Sequence, residues 1–402
     1  MEKLKSQTNL YGEVTKYRDY GKIKDPYPWS DYIEEVRFDR ARYHIASGDM
    51  WPVTWGADGN LYGAAGDNRG GPMNFWKFEG DPVDSNRNNP EGGVYTLNHG
   101  AVVIPSLVNE CPVDPVVFAT DQRVEPRWGL KPASLIDVEG MLYFSVEAQN
   151  YGVDPMFMRQ QNVHGWIVTS QDYGKTWDKF ATDKYFFTDR LSSCHFVQMG
   201  RGYEESIDEF VYAYFGSIGD DGNSYWENGD YMILGRVPKK EILIRDSWEF
   251  YTGKDDFGKP QWNKDDLKAV SVFRYPKMCG ENHICYNKYI NRFILCNYGF
   301  VDSELHPRPN HQGHWPESGF QSQLTMFESE HLWGPWRCFY RNDNWGTYGD
   351  YQPTFTPKWM YENGRIMFLI SSGTCDDYNF TFQKVGIRLK GEEYPDWISF
   401  FK

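Results

Sequence analysis

The stretch GDMWPVTWGADGNLYGAAGDN, residues 48–68, contains two short β-type runs on either side of an Asp-Gly pair. Asp-Gly between two such runs is a strong signal for a β-hairpin turn. Asp49 and Asp67 lie at equal distances in sequence from Asp58, which predicts that they face each other at the open end of the hairpin. Like charges at opposed strand positions destabilise a sheet. The pair therefore suggests a function.

Hairpins of this kind recur along the chain. Each combines a polar or Gly-containing turn with a short β-rich strand, and further strand pairs lie between them. The four later hairpin segments are VEGMLYFSVEA (138–148), ESIDEFVYAYFGS (205–217), KYINRFILCNYG (288–299) and YENGRIMFLISSG (361–373). Repeated units of two inner and two outer strands are typical of β-propeller blades. We predict one all-β domain over 1–402, a five-bladed β-propeller, with a six-bladed propeller as the alternative. The segment 1–44 is expected to pack on or close the propeller.

Composition limits the partners of the protein. The chain has 402 residues with a net charge of −14, which argues against nucleic acid and anionic membranes as partners. Aromatic residues make up 17%, a share that suits strands and sugar-stacking surfaces. No apolar run is long enough for a transmembrane helix. The expected partner is an oligo- or polysaccharide, and the sequence does not predict an oligomeric state.

The N-terminus and the cysteines bear on the cellular compartment. The start MEKLKSQTNLYGEV lacks the apolar region of a signal peptide. The sequence as written therefore predicts a cytoplasmic protein, and a secreted one if a leader has been removed. The seven cysteines are dispersed without a CxxC spacing, which favours free thiols in a reducing compartment.

The stretch SQDYGKTW, residues 170–177, fits the Asp-box pattern SxDxGxTW. Its chemistry is that of a tight turn. Asp172 can accept backbone N–H bonds, Gly174 can adopt positive φ, and Trp177 can pack between sheets. We interpret the box as a structural element.

Alignment of the hairpins predicts a shared polar site. The first strand of each propeller blade lines the central channel, so side chains that begin these strands should meet at its mouth. The predicted catalytic residues are Asp49, Asp67 and Glu281. The predicted substrate-binding residues are Trp51, Lys131, Glu147, His195, His283 and Tyr351.

Paired carboxyl groups in a cleft have their pKa values pushed apart, so that one remains an acid while the other ionises. Glycoside cleavage uses such a pair. Asp49 and Asp67 are therefore candidates for acid/base or nucleophile roles, tuned by Glu281 and Lys131. The structural alternative is that one Asp accepts turn N–H bonds while the other pairs with Arg69 or Lys131. Asp58, within the turn, is interpreted as structural.

The opening stretch resembles the first blade of domain-of-unknown-function family 4185. The segments KPASLIDVEGMLY, SQDYGKTW, LGRVPKKEILIRDSWEFYTG followed by PQW, and WGPW extend the resemblance over most of 45–390. It implies a five-bladed propeller. Some members belong to glycoside hydrolase family 183, which implies an endo-acting D-arabinan hydrolase. The family's catalytic Asp pair falls on Asp49 and Asp67.

Two other functions remain open from the residues. A polysaccharide lyase would use a His or Tyr base, such as His195 or His283, with a cation to neutralise a uronate. A non-catalytic glycan-binding propeller would bind without turnover. We expect no cofactor and no metal site. A Ca²⁺ ion in the channel would suit the carboxylates, although no EF-hand-like spacing occurs.

Overall fold

The computed structural model is almost entirely β, with 59% strand and 4% helix, which confirms the predicted all-β class. It describes residues 4–8, 14–18, 24–66, 73–84, 95–97, 101–104, 128–150, 161–307, 320–346, 350–372 and 379–393. Within these ranges no helix is long and apolar enough to cross a membrane.

The strands of the described residues are numbered in chain order. They are β1 Leu4–Thr8, β2 Val14–Arg18, β3 Ile33–Ser47, β4 Val53–Trp55, β5 Leu61–Ala65, β6 Asn74–Phe78, β7 Pro82–Asp84, β8 Tyr95–Leu97, β9 Ala101–Ile104, β10 Trp128–Val138, β11 Met141–Asn150, β12 Gln161–Ser170, β13 Phe187–Thr188, β14 Cys194–Phe196, β15 Phe210–Ile218, β16 Ser224–Tyr225, β17 Gly229–Pro238, β18 Glu249–Lys254, β19 Pro260–Asn263, β20 Ser271–Cys279, β21 His283–Asn287, β22 Arg292–Asp302, β23 Phe320–Ser329, β24 Arg337–Gly346, β25 Tyr351–Tyr361, β26 Ile366–Ser372 and β27 Asn379–Leu389. Short 3₁₀ turns occupy Asp189–Leu191, Arg201–Tyr203, Arg245–Ser247 and Asp266–Lys268.

The stretch 48–68 forms the predicted hairpin, although its open end has a different register. Strands β4 and β5 pair with Thr54 opposite Tyr62. Further out, Asp49 pairs with Gly66 and not with Asp67. The first strand carries one extra residue there, since Met50 and Trp51 take positive φ values of 74° and 43°. An inserted residue of this kind is a β-bulge, which shifts the pairing by one position. The prediction that Asp49 lies directly opposite Asp67 is therefore wrong, and Asp67 itself lies outside the described residues.

Strands that follow one another in sequence mostly pair antiparallel within the same sheet. The described four-stranded sheets run in the orders β4-β5-β6-β9, β21-β22-β23-β24 and β25-β26-β27-β3. Between the first two of these in sequence lies an 11-stranded sheet. It unites two groups of strands, because the short strand β16 pairs with both β12 and β15. The pairs β1-β2 and β7-β8 form separate small sheets.

The first strands of the five hairpins contact one another in a closed cycle. Strand β4 contacts β10, β10 contacts β14, β14 contacts β21, β21 contacts β25, and β25 returns to β4. Antiparallel sheets placed around a ring of first strands form a β-propeller. This ring of five strands supports the predicted five blades, although the number of blades stays a prediction.

The N-terminal segment completes the last sheet. Strand β3 pairs with β27 along most of its length, with Phe38 opposite Val385 and Val36 opposite Ile387. The chain's beginning and end therefore share one sheet. This arrangement joins the two ends of the ring, because β3 leads directly into the first hairpin.

Aromatic side chains fill the space between sheets. Trp51, Trp166, Trp248, Trp336 and Trp359 are among the largest fully buried side chains. Their burial removes large apolar surfaces from water, which is the main favourable contribution to folding.

The Asp-box turn packs on this core. Asp172 Oδ1 accepts a hydrogen bond from the Thr176 N–H at 2.9 Å. Gly174 takes a φ of 88°. The Trp177 ring meets Phe75 edge to face, with 5.1 Å between centroids. These contacts agree with a structural role for the turn.

The cysteines of the described residues are buried free thiols, as the sequence predicts. They are Cys194, Cys279, Cys285, Cys296 and Cys338. Cys111 and Cys375 lie outside the described ranges.

Candidate active site

The ring of first strands brings a group of buried polar side chains together, which we call the channel cluster. Its members are Asp49, Lys131, Glu147, His195, Glu281, His283, Tyr351 and Gln352, each no more than 5% exposed. All except Glu147 lie on a first strand of the ring or within four residues before one. Glu147 lies on β11, directly opposite Lys131 of β10. The predicted convergence of the hairpin starts therefore gives one contiguous polar site.

Asp49 forms an ion pair with Lys131 within the cluster. Lys131 Nζ lies 2.9 Å from Asp49 Oδ2, and both side chains are buried. The Tyr351 hydroxyl donates to the same oxygen at 3.5 Å. Because burying a charge is costly unless it is paired, Lys131 is what allows Asp49 to remain a carboxylate here. This pairing with Lys131 is one of the structural roles that the sequence left open.

Glu147 and Glu281 form a pair of buried carboxyl groups. Burial raises the pKa of Glu147 to about 7, opposed by hydrogen bonds and by the charge of Lys131. Burial and the neighbouring Glu147 raise the pKa of Glu281 well above its usual range. Carboxylate oxygens of the two residues lie within 4.8 Å of each other. Two carboxyl groups at this distance cannot both ionise easily. At neutral pH the pair therefore retains a proton.

Four hydrogen-bond donors orient the pair. Gln149 donates to Glu147 Oε1 at 2.9 Å. Asn162 and the Ser193 hydroxyl donate to Glu281 Oε1 at 2.7 and 3.0 Å, and Gln352 donates to Glu281 Oε2 at 2.7 Å. Glu281 is thus held on both oxygens and has little rotational freedom.

The two histidines complete the cluster. Their rings lie edge to face, with centroids 5.1 Å apart. His195 Nε2 lies 2.6 Å from the Ser193 hydroxyl oxygen, and His283 Nε2 lies 2.6 Å from Gln352 Oε1. Burial lowers the pKa of His283 to about 4 and that of His195 well below its usual range. Both imidazoles are therefore neutral at neutral pH, the form that accepts protons or binds metal ions.

Small differences in exposure give the cluster a direction. Asp49, His283 and Tyr351 each keep 5% of their surface exposed, whereas Glu147 and Glu281 keep none. Asp49, His283 and Tyr351 therefore form the less buried end of the cluster, and the glutamate pair forms its closed end.

Trp51 lies outside this cluster. Its ring is fully buried and meets Phe380 edge to face at 5.2 Å, in a core between the first hairpin and the last sheet. Its Nε1–H donates to the Gly48 carbonyl at 2.8 Å. The bulge at Met50 and Trp51 turns the ring away from the channel. Its position thus does not support the predicted substrate-stacking role.

Four residues that hold the glutamate pair were missed in the sequence, and one of them, Gln149, holds Glu147. Asn162, Ser193 and Gln352 hold Glu281 but carry no catalytic signature of their own. Ser193 lies two positions before His195, and Gln352 directly follows Tyr351, so adjacency to predicted site residues was a usable signal for both. Gln352 also has a positive φ of 53°, a strained conformation that sequence does not reveal.

The chain was compared with known proteins. No protein-family model matches it, and no curated protein matches it. Solved structures do resemble it. A structure described as a hydrolase from Bacteroides ovatus ATCC 8483 is 12% identical with a TM-score of 0.47, over 86% of this chain and 87% of the other.

Two further neighbours are glycoside hydrolases by description. The GH43_1 enzyme from Xanthomonas citri is 10% identical with a TM-score of 0.44, over 86% of this chain and 89% of its own. RS223-β-xylosidase is 11% identical with a TM-score of 0.42, over 89% and 97%. The fold therefore rests on the sheets and the ring of first strands, and the proposed function rests on the channel cluster.

Proposed function

We propose that this protein is a glycoside hydrolase that cleaves an oligo- or polysaccharide at the channel mouth. The observation that carries the proposal is the Asp49 carboxylate, paired with Lys131 at 2.9 Å, at the less buried end of a cluster that contains two further carboxyl groups. Glycoside hydrolysis requires one ionised carboxylate and one carboxylic acid on either side of the scissile bond. Asp49 supplies the ionised group.

The roles of the other residues follow from their positions. Asp67, which directly follows Gly66, the hairpin's last described residue, is proposed as the second reacting carboxyl group. Lys131 stabilises the ionised form of Asp49. Glu281 is fully buried and does not reach a substrate, so its proposed role is to adjust the electrostatic potential at Asp49 from the closed end of the cluster. Tyr351 and His283, at the less buried end of the cluster, are proposed to contact the sugar.

The finer assignment rests on the resemblance to family 4185. On this basis we propose a five-bladed enzyme of the glycoside hydrolase family 183 type, which cleaves D-arabinan at internal bonds. Xylan is a second substrate worth testing, because a solved structure of the Xanthomonas citri neighbour is described in complex with xylotriose.

The test is a glycan panel with two readouts. Arabinan, xylan and uronate-containing glycans are incubated with the protein, and both new reducing ends and ultraviolet absorbance are measured. We expect new reducing ends without ultraviolet absorbance. An unsaturated, ultraviolet-absorbing product would instead establish the lyase, and binding without turnover on any glycan would establish a binding propeller.

Variants connect the activity to the site. Asp49→Asn is expected to reduce turnover by about 10²–10⁴-fold, the contribution typical of a positioned acid or base. Asp58→Asn is the matched control, because it makes the same change at a carboxylate that accepts hydrogen bonds from Asn60 and Tyr62 in the exposed turn of the same hairpin. Full activity in Asp49→Asn would overturn the proposal.

A further inference from the structure

Glu147, His195 and Glu281 form a compact group at the closed end of the channel cluster, which we call the buried triad. Each offers one ligand atom, and these atoms lie within 4.8 Å of one another. The three side chains are at most 1% exposed. They come from β11, from β14 and from the residues just before β21, so three packed strands fix their spacing.

The triad places two adjacent buried carboxyl groups beside an imidazole. Lys131 lies opposite Glu147 in the sheet register, but its ammonium group lies 2.9 Å from Asp49 Oδ2. His195 Nδ1 is buried and has no hydrogen-bond partner among the described residues. Two adjacent buried carboxylates are unfavourable unless a cation or a proton balances them.

We propose that the buried triad binds a divalent transition-metal ion such as Zn²⁺ or Mn²⁺. An imidazole nitrogen combined with two carboxylates suits these ions, whereas Ca²⁺ and Mg²⁺ prefer ligands that are all oxygen. Zn–N and Zn–O bonds are about 2.0–2.2 Å long, so ligand atoms on one ion lie about 3–4 Å apart. The triad's ligand atoms, within 4.8 Å of one another, already lie close to that spacing.

The surrounding hydrogen bonds are those that a metal site requires. Ser193 lies between His195 Nε2, at 2.6 Å, and Glu281 Oε1, at 3.0 Å. Gln149 donates to Glu147, and Asn162 donates to Glu281. Such contacts orient metal ligands before the ion arrives. Three protein ligands also leave a coordination position for water.

The test measures ion binding without any substrate, so its outcome is independent of the proposed hydrolase activity. The full chain is treated with a chelator, dialysed, and titrated with ZnCl₂, MnCl₂ and CaCl₂ by isothermal calorimetry, with elemental analysis of the dialysed complexes. We expect one Zn²⁺ or Mn²⁺ per chain and a raised melting temperature, with no comparable effect of Ca²⁺. Absence of stoichiometric Zn²⁺ or Mn²⁺ binding, or tighter binding of Ca²⁺, would overturn the proposal.

Variants locate the ion. Glu147→Gln and Glu281→Gln should each weaken binding by at least about 100-fold, since changes to residues that merely orient the ligands already cost about 10–100-fold. Glu139→Gln, in the exposed turn of the same hairpin as Glu147, is the matched control and should bind normally. Unchanged affinity in both triad variants would place the ion elsewhere.

A spectroscopic readout covers the case in which a glutamate variant does not fold. Co²⁺ added to the unaltered metal-free protein should give visible absorption bands of a site with few ligands. Zn²⁺ should displace Co²⁺ and abolish these bands. The His195→Asn variant should lose them, whereas His331→Asn, at an exposed histidine, should keep them. Identical Co²⁺ spectra for both variants would contradict a triad site.

Discussion

Replacing Lys131 by Met removes the cation from a buried ion pair while keeping the side chain's length. The Lys131–Asp49 separation of 2.9 Å corresponds to an attraction of about 6 kcal/mol at an effective dielectric constant of about 20. The cost of taking both charges out of water offsets much of this attraction. Removal of one partner, however, leaves the other charge buried, and such changes cost about 3–5 kcal/mol. We therefore expect Lys131→Met to lower the free energy of unfolding by about 3–5 kcal/mol.

A double-mutant cycle measures this coupling. Urea unfolding of Lys131→Met, Asp49→Asn and the double variant gives the interaction energy between the two side chains. The double variant should regain much of the lost stability, because no isolated charge remains buried in it. A loss below about 1 kcal/mol in Lys131→Met is the value of an exposed ion pair and would refute the buried pairing. A loss in the double variant equal to the sum of the two single-variant losses would refute the coupling.

Two further substitutions test the scaffold. Trp51→Ala should lower the unfolding free energy by about 3–5 kcal/mol, because the fully buried ring fills the core between the first hairpin and the last sheet; a thermal-stability loss near zero would instead indicate an exposed ring. Gly174→Ala should cost about 2–4 kcal/mol in urea unfolding, from the positive φ and from a Cβ placed 2.2 Å from the Phe75 ring. Gly222→Ala is its control, with a φ of +82° and no atom within 4 Å of the added Cβ, and an equal loss in both variants would contradict the steric argument.

The hairpins could be predicted because their signals are local. A polar or Gly-containing turn between β-type runs specifies both strands within a few residues, and such turns recur where β10–β11, β21–β22 and β25–β26 form. Alignment of these repeats was enough to bring Asp49, Lys131, Glu147, His195 and Glu281 to one site. The ring of first strands is the physical reason that repeat position and spatial position agree.

The details that escaped prediction depend on backbone conformation and on distant partners. The positive φ values of Met50 and Trp51 are not encoded by a glycine, so neither the bulge nor the burial of the Trp51 ring was visible. Asn162 lies on a third strand and reaches Glu281 across sheets. Its role depends on packing that no local pattern reports.

The central claim is that Asp49 performs chemistry on a glycan. The most direct measurement is the turnover of a cleaved glycan by Asp49→Asn and by Asp58→Asn, with both variants shown to be folded by circular dichroism. The account predicts a loss of about 10²–10⁴-fold for Asp49→Asn and near-normal turnover for Asp58→Asn. Equal turnover in the two folded variants would contradict it.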